Sequence, residues 1–348
     1  MKRKYLYAFL SMILVGFAVL SCSKDEPAPA QVSDVYVAGS ETNASGKSVA
    51  TLWKNGAAQS LSDGTNNAYT SSVYVAGSDV YVAGFEYNAS GNSVATLWKN
   101  GAAQSLSDGT NHANANSVYV ADNDVYVAGI EYNASYMPVA TLWKNGTVQS
   151  LSDGTNDAYA NSVYVAGSDV YVAGMEYNGS GKWFATLWKN GTAQRLTNGT
   201  NDAEAASVYV AGNDVYAAGY ERNASGNYVA TLWKNGAAQP LTDGTNHVYA
   251  YSIYVAGNDV YVVGNEYSAG GKWVAMLWKN GEAQRLTLTD LTNDAFAISI
   301  YAAGSDVYVA GRETNASGYY AATLWKNGAA QPLSDGTNLS QAQSVFVK

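Results

Sequence analysis

Seven copies of one unit fill nearly all of this chain. The tripeptide Asp-Val-Tyr begins at Asp34, Asp79, Asp124, Asp169, Asp214, Asp259 and Asp306, spaced 45 residues apart five times and then 47. Leu-Trp-Lys-Asn-Gly recurs in step, with Trp53, Trp98, Trp143, Trp188, Trp233, Trp278 and Trp325. A unit of this length cannot bury its own apolar face, so stacked neighbours must share one core. Amphipathic helical periodicity is absent. Val, Tyr, Thr and Trp instead occur in short runs punctuated by Gly, Asn, Asp and Ser, which predicts strands and turns. Within one copy, Ser72–Ala76, Val80–Gly84, Val94–Lys99 and Ala102–Leu106 read as four strands. Asn100-Gly101 is a strong signal for a two-residue hairpin, because both positions favour positive φ.

Four strands in about 45 residues match the period of a propeller blade. The first two strands are apolar at nearly every position, which predicts burial on both sides between packed blades. The fourth is more polar, as an outer edge requires. The first unit lacks its opening strand, and Ser344-Val345-Phe346-Val347-Lys348 supplies that strand at the C-terminus. We therefore expect an all-β fold: a seven-bladed β-propeller of four-stranded blades, closed when the C-terminal strand joins the N-terminal blade. It spans residues 34–348, a length of 315 residues or seven times 45, as a single domain. The pattern Gly-Asn-Asp-Val-Tyr-Val-Ala-Gly occurs at 212–219 with Ala217 replacing Val, and at 257–264 with Val263 replacing Ala. In this it resembles bacterial β-propeller repeat families, a likeness that implies a fold and no single function.

The segment before the repeats reads as an address. Lys2, Arg3 and Lys4 precede the apolar run Tyr5–Leu20, which is short for a membrane span and laid out like a secretory signal. The chain's one cysteine follows in Val19-Leu20-Ser21-Cys22, which resembles the lipobox of bacterial lipoproteins. A simple signal peptide with an incidental cysteine is the alternative. The resemblance implies a signal peptide at 1–21, acylation of Cys22, and a lipidated tether at 22–33. Ser23-Lys24-Asp25-Glu26 resembles the signal that sends Bacteroidetes lipoproteins to the cell surface, so an outer-membrane, lipid-anchored, surface-exposed protein is expected. The eleven residues Ser23–Ser33 reach at most about 35–40 Å.

Charge and cysteine content exclude other classes. Only 14% of residues are charged and the net charge is −9, falling to −12 once three positive charges leave with residues 1–21. Such a chain lacks the basic surface of a nucleic-acid binder. One cysteine permits no intramolecular disulfide and no Cys-based structural zinc site. No cofactor, metal or nucleic acid is implied, membrane contact is expected through the lipid anchor alone, and a monomer is expected.

The copies differ mainly at one end. Chain direction puts the Asn-Gly turns and the turns between strands one and two on one face. The loops between strands two and three, and the links between blades, lie on the other. On that second face the residue after Thr-Asn reads Asn67, His112, Asp157, Asp202, His247, Asp294 and Leu339. Two residues further come Tyr69, Asn114, Tyr159, Glu204, Tyr249, Phe296 and Gln341, and after two more Ser71, Asn116, Asn161, Ala206, Tyr251, Ile298 and Gln343. Variation at period two describes an extended segment whose side chains surround the mouth of the central channel. The residue after the shared Gly also varies: Ser40, Phe85, Ile130, Met175, Tyr220, Asn265, Arg312. A slot at the start of the third strand holds Ser48, Ser93, Pro138, Trp183, Tyr228, Trp273 and Tyr320.

The candidate ligand-binding set is therefore Tyr69, His112, Asp157, Tyr159, Trp183, Asp202, Glu204, Tyr228, His247, Tyr249, Tyr251, Trp273, Asp294, Phe296 and Tyr320. Drift in unconstrained loops is the alternative to recognition. Aromatic rings flanked by amides and carboxylates suit sugars, whose C–H faces stack on rings while hydroxyls bond polar groups. Glycan capture staged on Trp183, Trp273, Tyr159, Tyr228 and Tyr249 is the first expectation, and a protein-interaction or adhesion scaffold the second. An enzyme ranks third, since no asymmetric catalytic constellation is visible. Asp157, Asp202, Glu204 and Asp294 could gather round a cation, but solvated loop carboxylates are the simpler reading. The repeated glutamates (Glu41 to Glu313) are expected to make structural hydrogen bonds, and Asp34 and its equivalents to bond turn amides. Asn43 and Asn88 formally match a glycosylation acceptor but read as polar loops.

Overall fold

Each Asn-Gly pair makes the turn its chemistry demands. In the computed structural model, which describes residues 33–286 and 293–348, Asn100 has φ 51° and Gly101 φ 84°, and the turn joins the third strand to the outer one. The six equivalent asparagines lie between 50° and 52°. Blade 2 illustrates the unit: an inner strand Ala68–Ala76, a second Asp79–Tyr87, a third Ser93–Lys99 and an outer Ala102–Ser105, all antiparallel. Seven such four-stranded sheets form the ring. In blade 1 the inner strand is Ser340–Val347, which pairs with Val35–Thr42 as the chain ends predicted. The Asp34 and Lys348 backbones exchange N–H···O bonds at 2.9 Å. The two extra residues ahead of Asp306 fall in the link containing 287–292, and residues 1–21, Cys22 and the tether up to 32 also lie outside the described residues.

The core is seven copies of one blade–blade contact. Each Leu-Trp-Lys tryptophan is 0–1% exposed. Trp98 packs with Val73 and Val82 of its own blade against Tyr36, Ala38 and Leu52 of blade 1, and Trp53 closes the ring against Tyr308, Ala310 and Leu324 of blade 7. Burial corrects one expectation. The second and third strands are the doubly buried ones, whereas the inner strand alternates buried and half-buried residues because its other side lines the channel. The outer strands are exposed throughout.

A second correction concerns Asp34 and its equivalents. They hold the side chain of the turn asparagine rather than a turn backbone amide. Asp79 accepts the Asn100 side-chain amide at 2.8 Å and pairs with Lys99 at 2.8 Å, while the Asn100 carbonyl oxygen accepts the Val80 N–H at 2.8 Å. All seven blades repeat this clamp. Both partners are partly exposed, so each ion pair adds little stability alone. The clamp keeps the face carrying the Asn-Gly turns uniform.

Candidate ligand-binding face

On the opposite face a β-bulge builds the site. Pairing of the inner and second strands slips by one residue between Thr70 and Ser72, leaving Ser71 unpaired, and every other blade slips at the equivalent place. A bulge re-aims the side chain it frees. Here the bulged residues are Ser71, Asn116, Asn161, Ala206, Tyr251, Ile298 and Gln343, one of the varied sets, and all line a cavity of about 550 Å³ at the channel mouth. The serine after each bulge accepts a backbone N–H from the next blade, as Ser72 Oγ does from Val118 at 3.2 Å, so a belt of hydrogen bonds encircles the cavity. Farther along the same strands, Tyr74, Tyr119, Tyr164, Tyr209, Tyr254, Tyr301 and Phe346 form an unbroken ring with centroids 4.6–5.0 Å apart. This aromatic floor, which the sequence pattern concealed among buried strand residues, narrows the channel below the cavity.

The slot after Thr-Asn has a structural task. Asn67, His112, Asp202, His247 and Asp294 each accept the backbone N–H that opens the preceding third strand: Ser48, Ser93, Trp183, Tyr228 and Trp273, at 2.9–3.3 Å. Opposite Asp157 stands Pro138, which has no N–H to offer. His112 and His247 act in separate blades and share no site. Asp202 also pairs with Lys182 at 3.4 Å and Arg222 at 3.6 Å. Among the described residues no three His, Cys, Asp or Glu side chains gather as a metal site would need. The polar loops likewise serve the chain: Asn43 accepts the Ser45 and Lys47 N–H groups and donates to the Gly64 carbonyl.

The aromatic candidates divide into groups. Tyr220, Tyr228 and Tyr249 touch one another with centroids 4.9–5.0 Å apart. Tyr249 also lies parallel to Tyr251 at 6.1 Å and 5.8 Å from Trp273. Trp273 continues to Phe296 and Phe296 to Tyr320, both at 5.8 Å. These seven rings make a contiguous, half-buried arc over blades 5 to 7. Tyr159, Trp183 and Tyr177 form a separate trio in blade 4, with Trp183 5.6 Å from Tyr159 and 5.2 Å from Tyr177, and Tyr69 lies tilted 5.2 Å from Phe85 in blade 2. Of the five residues expected to stage a glycan, the structure thus brings together Tyr228, Tyr249 and Trp273.

Polar groups stand at both ends of the arc. Glu204 accepts hydrogen bonds from the Tyr220 hydroxyl at 2.6 Å and the Asn161 amide at 2.9 Å. Desolvation pushes its carboxyl up, with those two bonds opposing, and burial also pushes Tyr249 up to about 12. At the other end, Arg312 lies 4.7 Å from the Phe296 ring and 4.6 Å from Tyr320, and donates from Nη1 to Gln341 Oε1 at 2.5 Å. Tyr220, Arg312, Asn161 and Gln341 were not among the site candidates. Their signal was the spread of residue types in the slot after the shared Gly and at the two inner-strand positions.

The repeated glutamates behave unevenly. Glu176 accepts from Thr186 Oγ1 at 3.2 Å and Glu266 from Asn246 at 2.8 Å, the expected structural bonds. Glu86 and Glu131 instead face Asp63 and Asp108, and burial, then the neighbouring carboxylate, pushes them up.

No protein-family model and no curated protein sequence matches the chain. Solved structures do. The β-propeller domain of the Trilobed protease from Pyrococcus furiosus, described as having an open velcro topology, aligns with a TM-score of 0.54 and 11% identity over 87% of this chain and 95% of that one. Pyrococcus horikoshii acylaminoacyl peptidase aligns with a TM-score of 0.53 and 13% identity over 87% of this chain and 51% of its own. A puromycin hydrolase reaches 0.60 at 11% identity, again over 87% of this chain and 52% of its own. The chain spans about half the length of these last two proteins. At such identities the likeness speaks of fold alone. Together with seven antiparallel four-stranded blades, it establishes the architecture as a β-propeller.

Proposed function

We propose that this protein is a lipid-anchored cell-surface binding protein that captures carbohydrate on the varied face of its propeller. The observation that carries this reading is the contiguous arc from Tyr228 to Tyr320, flanked at one end by Glu204 and Asn161. Sugars present C–H faces to rings and hydroxyls to amides and carboxylates, and a cavity whose floor narrows favours docking at the mouth over passage through it. The reading is binding without catalysis: Asp202 is held in ion pairs, and the histidines and Asp294 accept strand N–H groups. Anchoring at Cys22 and surface display rest on the lipobox-like and Ser-Lys-Asp-Glu segments.

A glycan array probed with the full-length chain tests this. We expect hits whose affinity falls about tenfold or more in a Tyr249→Ala/Trp273→Ala double variant and is little changed in Trp183→Ala, whose ring lies outside the arc. An array without hits, together with recovery of a defined protein partner from whole cells that also requires the arc, would replace the glycan reading with the interaction-scaffold one.

A further inference from the structure

Among the charged groups of the varied face, Arg312 has a distinctive environment. Lys182 and Arg222 share the carboxylate of Asp202, whereas Arg312 has no carboxylate within ion-pair distance among the described residues. Its guanidinium is half-buried between Phe296 and Tyr320, its Nη1 donates to a neutral amide oxygen, and its Nε is buried without a hydrogen-bond partner among the described residues. Glu313, next in the strand, projects to the opposite side of the sheet. Glu204 stands in blade 5, beyond blade 6, with two donors already on its carboxylate. A desolvated cation with an unused donor is costly for the fold and is preorganised for an anion. Burial holds the Arg312 pKa below its usual range, in keeping with a missing counter-charge.

Resting on the carbohydrate reading, we infer that the ligand is an acidic sugar of the uronate class, with its carboxylate on Arg312 and its ring on the Trp273–Phe296 part of the arc. Arg312 lies opposite Phe296 in the strand register, so the cation adjoins one end of the aromatic surface. A guanidinium without a counter-ion gives a carboxylate a charge-assisted hydrogen bond that a neutral sugar would leave unused.

The experiment compares oligogalacturonate, oligomannuronate and glucuronate oligomers with their methyl esters, which keep the sugar and remove the charge, by titration calorimetry on the full-length chain. We expect the acid form of at least one series to bind about tenfold more tightly than its ester. In Arg312→Met that ratio should fall to about one, and Arg312→Lys should restore part of it. The thermal midpoint of Arg312→Met should equal or exceed that of the parent, because an unpaired buried charge is removed. Equal binding of acid and ester, or hits confined to neutral glycans, would overturn the inference and leave the carbohydrate reading standing. Absence of binding to any sugar would overturn both. A markedly lower midpoint for Arg312→Met, with the acid preference retained in Arg312→Lys and Arg312→Met alike, would make Arg312 a structural clamp and also sink the inference.

Discussion

Each blade turns on one glycine pressed against an inner-strand carbonyl oxygen beside the bulge, and in five blades against the tryptophan as well. A Cβ at Gly84 would stand 2.0 Å from the Tyr69 carbonyl oxygen, 2.8 Å from Thr70 Cα and 3.0 Å from Trp98 Cζ3. Two of those atoms are backbone at the bulge, so they cannot swing aside. The close approach lets Trp98 fill the space over the second strand, and the bulge then aims Ser71 at the channel. Gly84→Ala should therefore destabilise the protein by more than about 3 kcal/mol in chemical denaturation, a cost in the range of overpacked or strained core sites. The nearby Gly77→Ala, whose Cβ would meet nothing within 4 Å, should cost much less, through its φ of 56° alone. The same scale shows why part of the site was illegible in the sequence. Asn67, His112, Asp202, His247 and Asp294 differ in size and charge but share an acceptor lone pair, and their common partner is a backbone N–H about 20 residues upstream. Backbone donors leave no trace in side-chain patterns, so conserved geometry looked like recognition variety.

Each second strand carries a carboxylate near both ends, and in five of the blades the two respond oppositely to folding. Asp79 is held below its usual range by hydrogen bonds from Lys99 and then Asn100, and its six equivalents behave alike. Glu86, with Glu41, Glu131, Glu221 and Glu313, is raised above the usual range by burial. For the glutamates the folded chain binds protons more tightly than the unfolded one, so stability rises as pH falls from neutrality through their folded values. For the aspartates the folded chain binds protons less tightly. Their contribution is present above about pH 4 and is lost as pH falls through their depressed folded values. Thermal melts between pH 3 and 8 should thus peak near about pH 5 and decline on both sides. Combined Glu→Gln changes at 86, 131 and 221 should raise the neutral-pH midpoint and flatten that limb. A midpoint that rises steadily from pH 5 to 8 would contradict the assignment. Element order, hairpin turns and the outer edge were all legible from Asn-Gly and from the polar fourth strand. The bulge was not, because one extra residue in an inner strand leaves the repeat length unchanged.

At the scale of the whole molecule, sevenfold repetition makes closure the one feature that depends on a single strand. Ser340–Val347 has no substitute among the described residues. Its Val345 and Val347 cover Trp53, its Ser344 accepts the Val73 N–H at 3.1 Å, and its Phe346 sits 4.9 Å from both Tyr74 and Tyr301 to complete the aromatic floor. These contacts join blade 1 to blades 2 and 7. Losing the strand therefore exposes an inner sheet edge and a buried tryptophan, and it cuts the hydrogen-bonded serine belt. In an open stack of repeats, the loss of one terminal strand would fray one unit and leave the others intact. In a closed ring every interface depends on the remaining six, so the damage should spread. Removal of Ser340–Lys348 should lower the melting midpoint by more than about 10 °C or abolish soluble expression. A synthetic peptide spanning 340–348, added in excess, should recover part of the loss by pairing with Val35–Glu41. A truncated chain that melts at the parent temperature would show that the seven blades hold together without closure. That result would also detach the shape of the channel mouth from the C-terminal strand, which supplies Gln341 to Arg312 and Gln343 to the cavity wall.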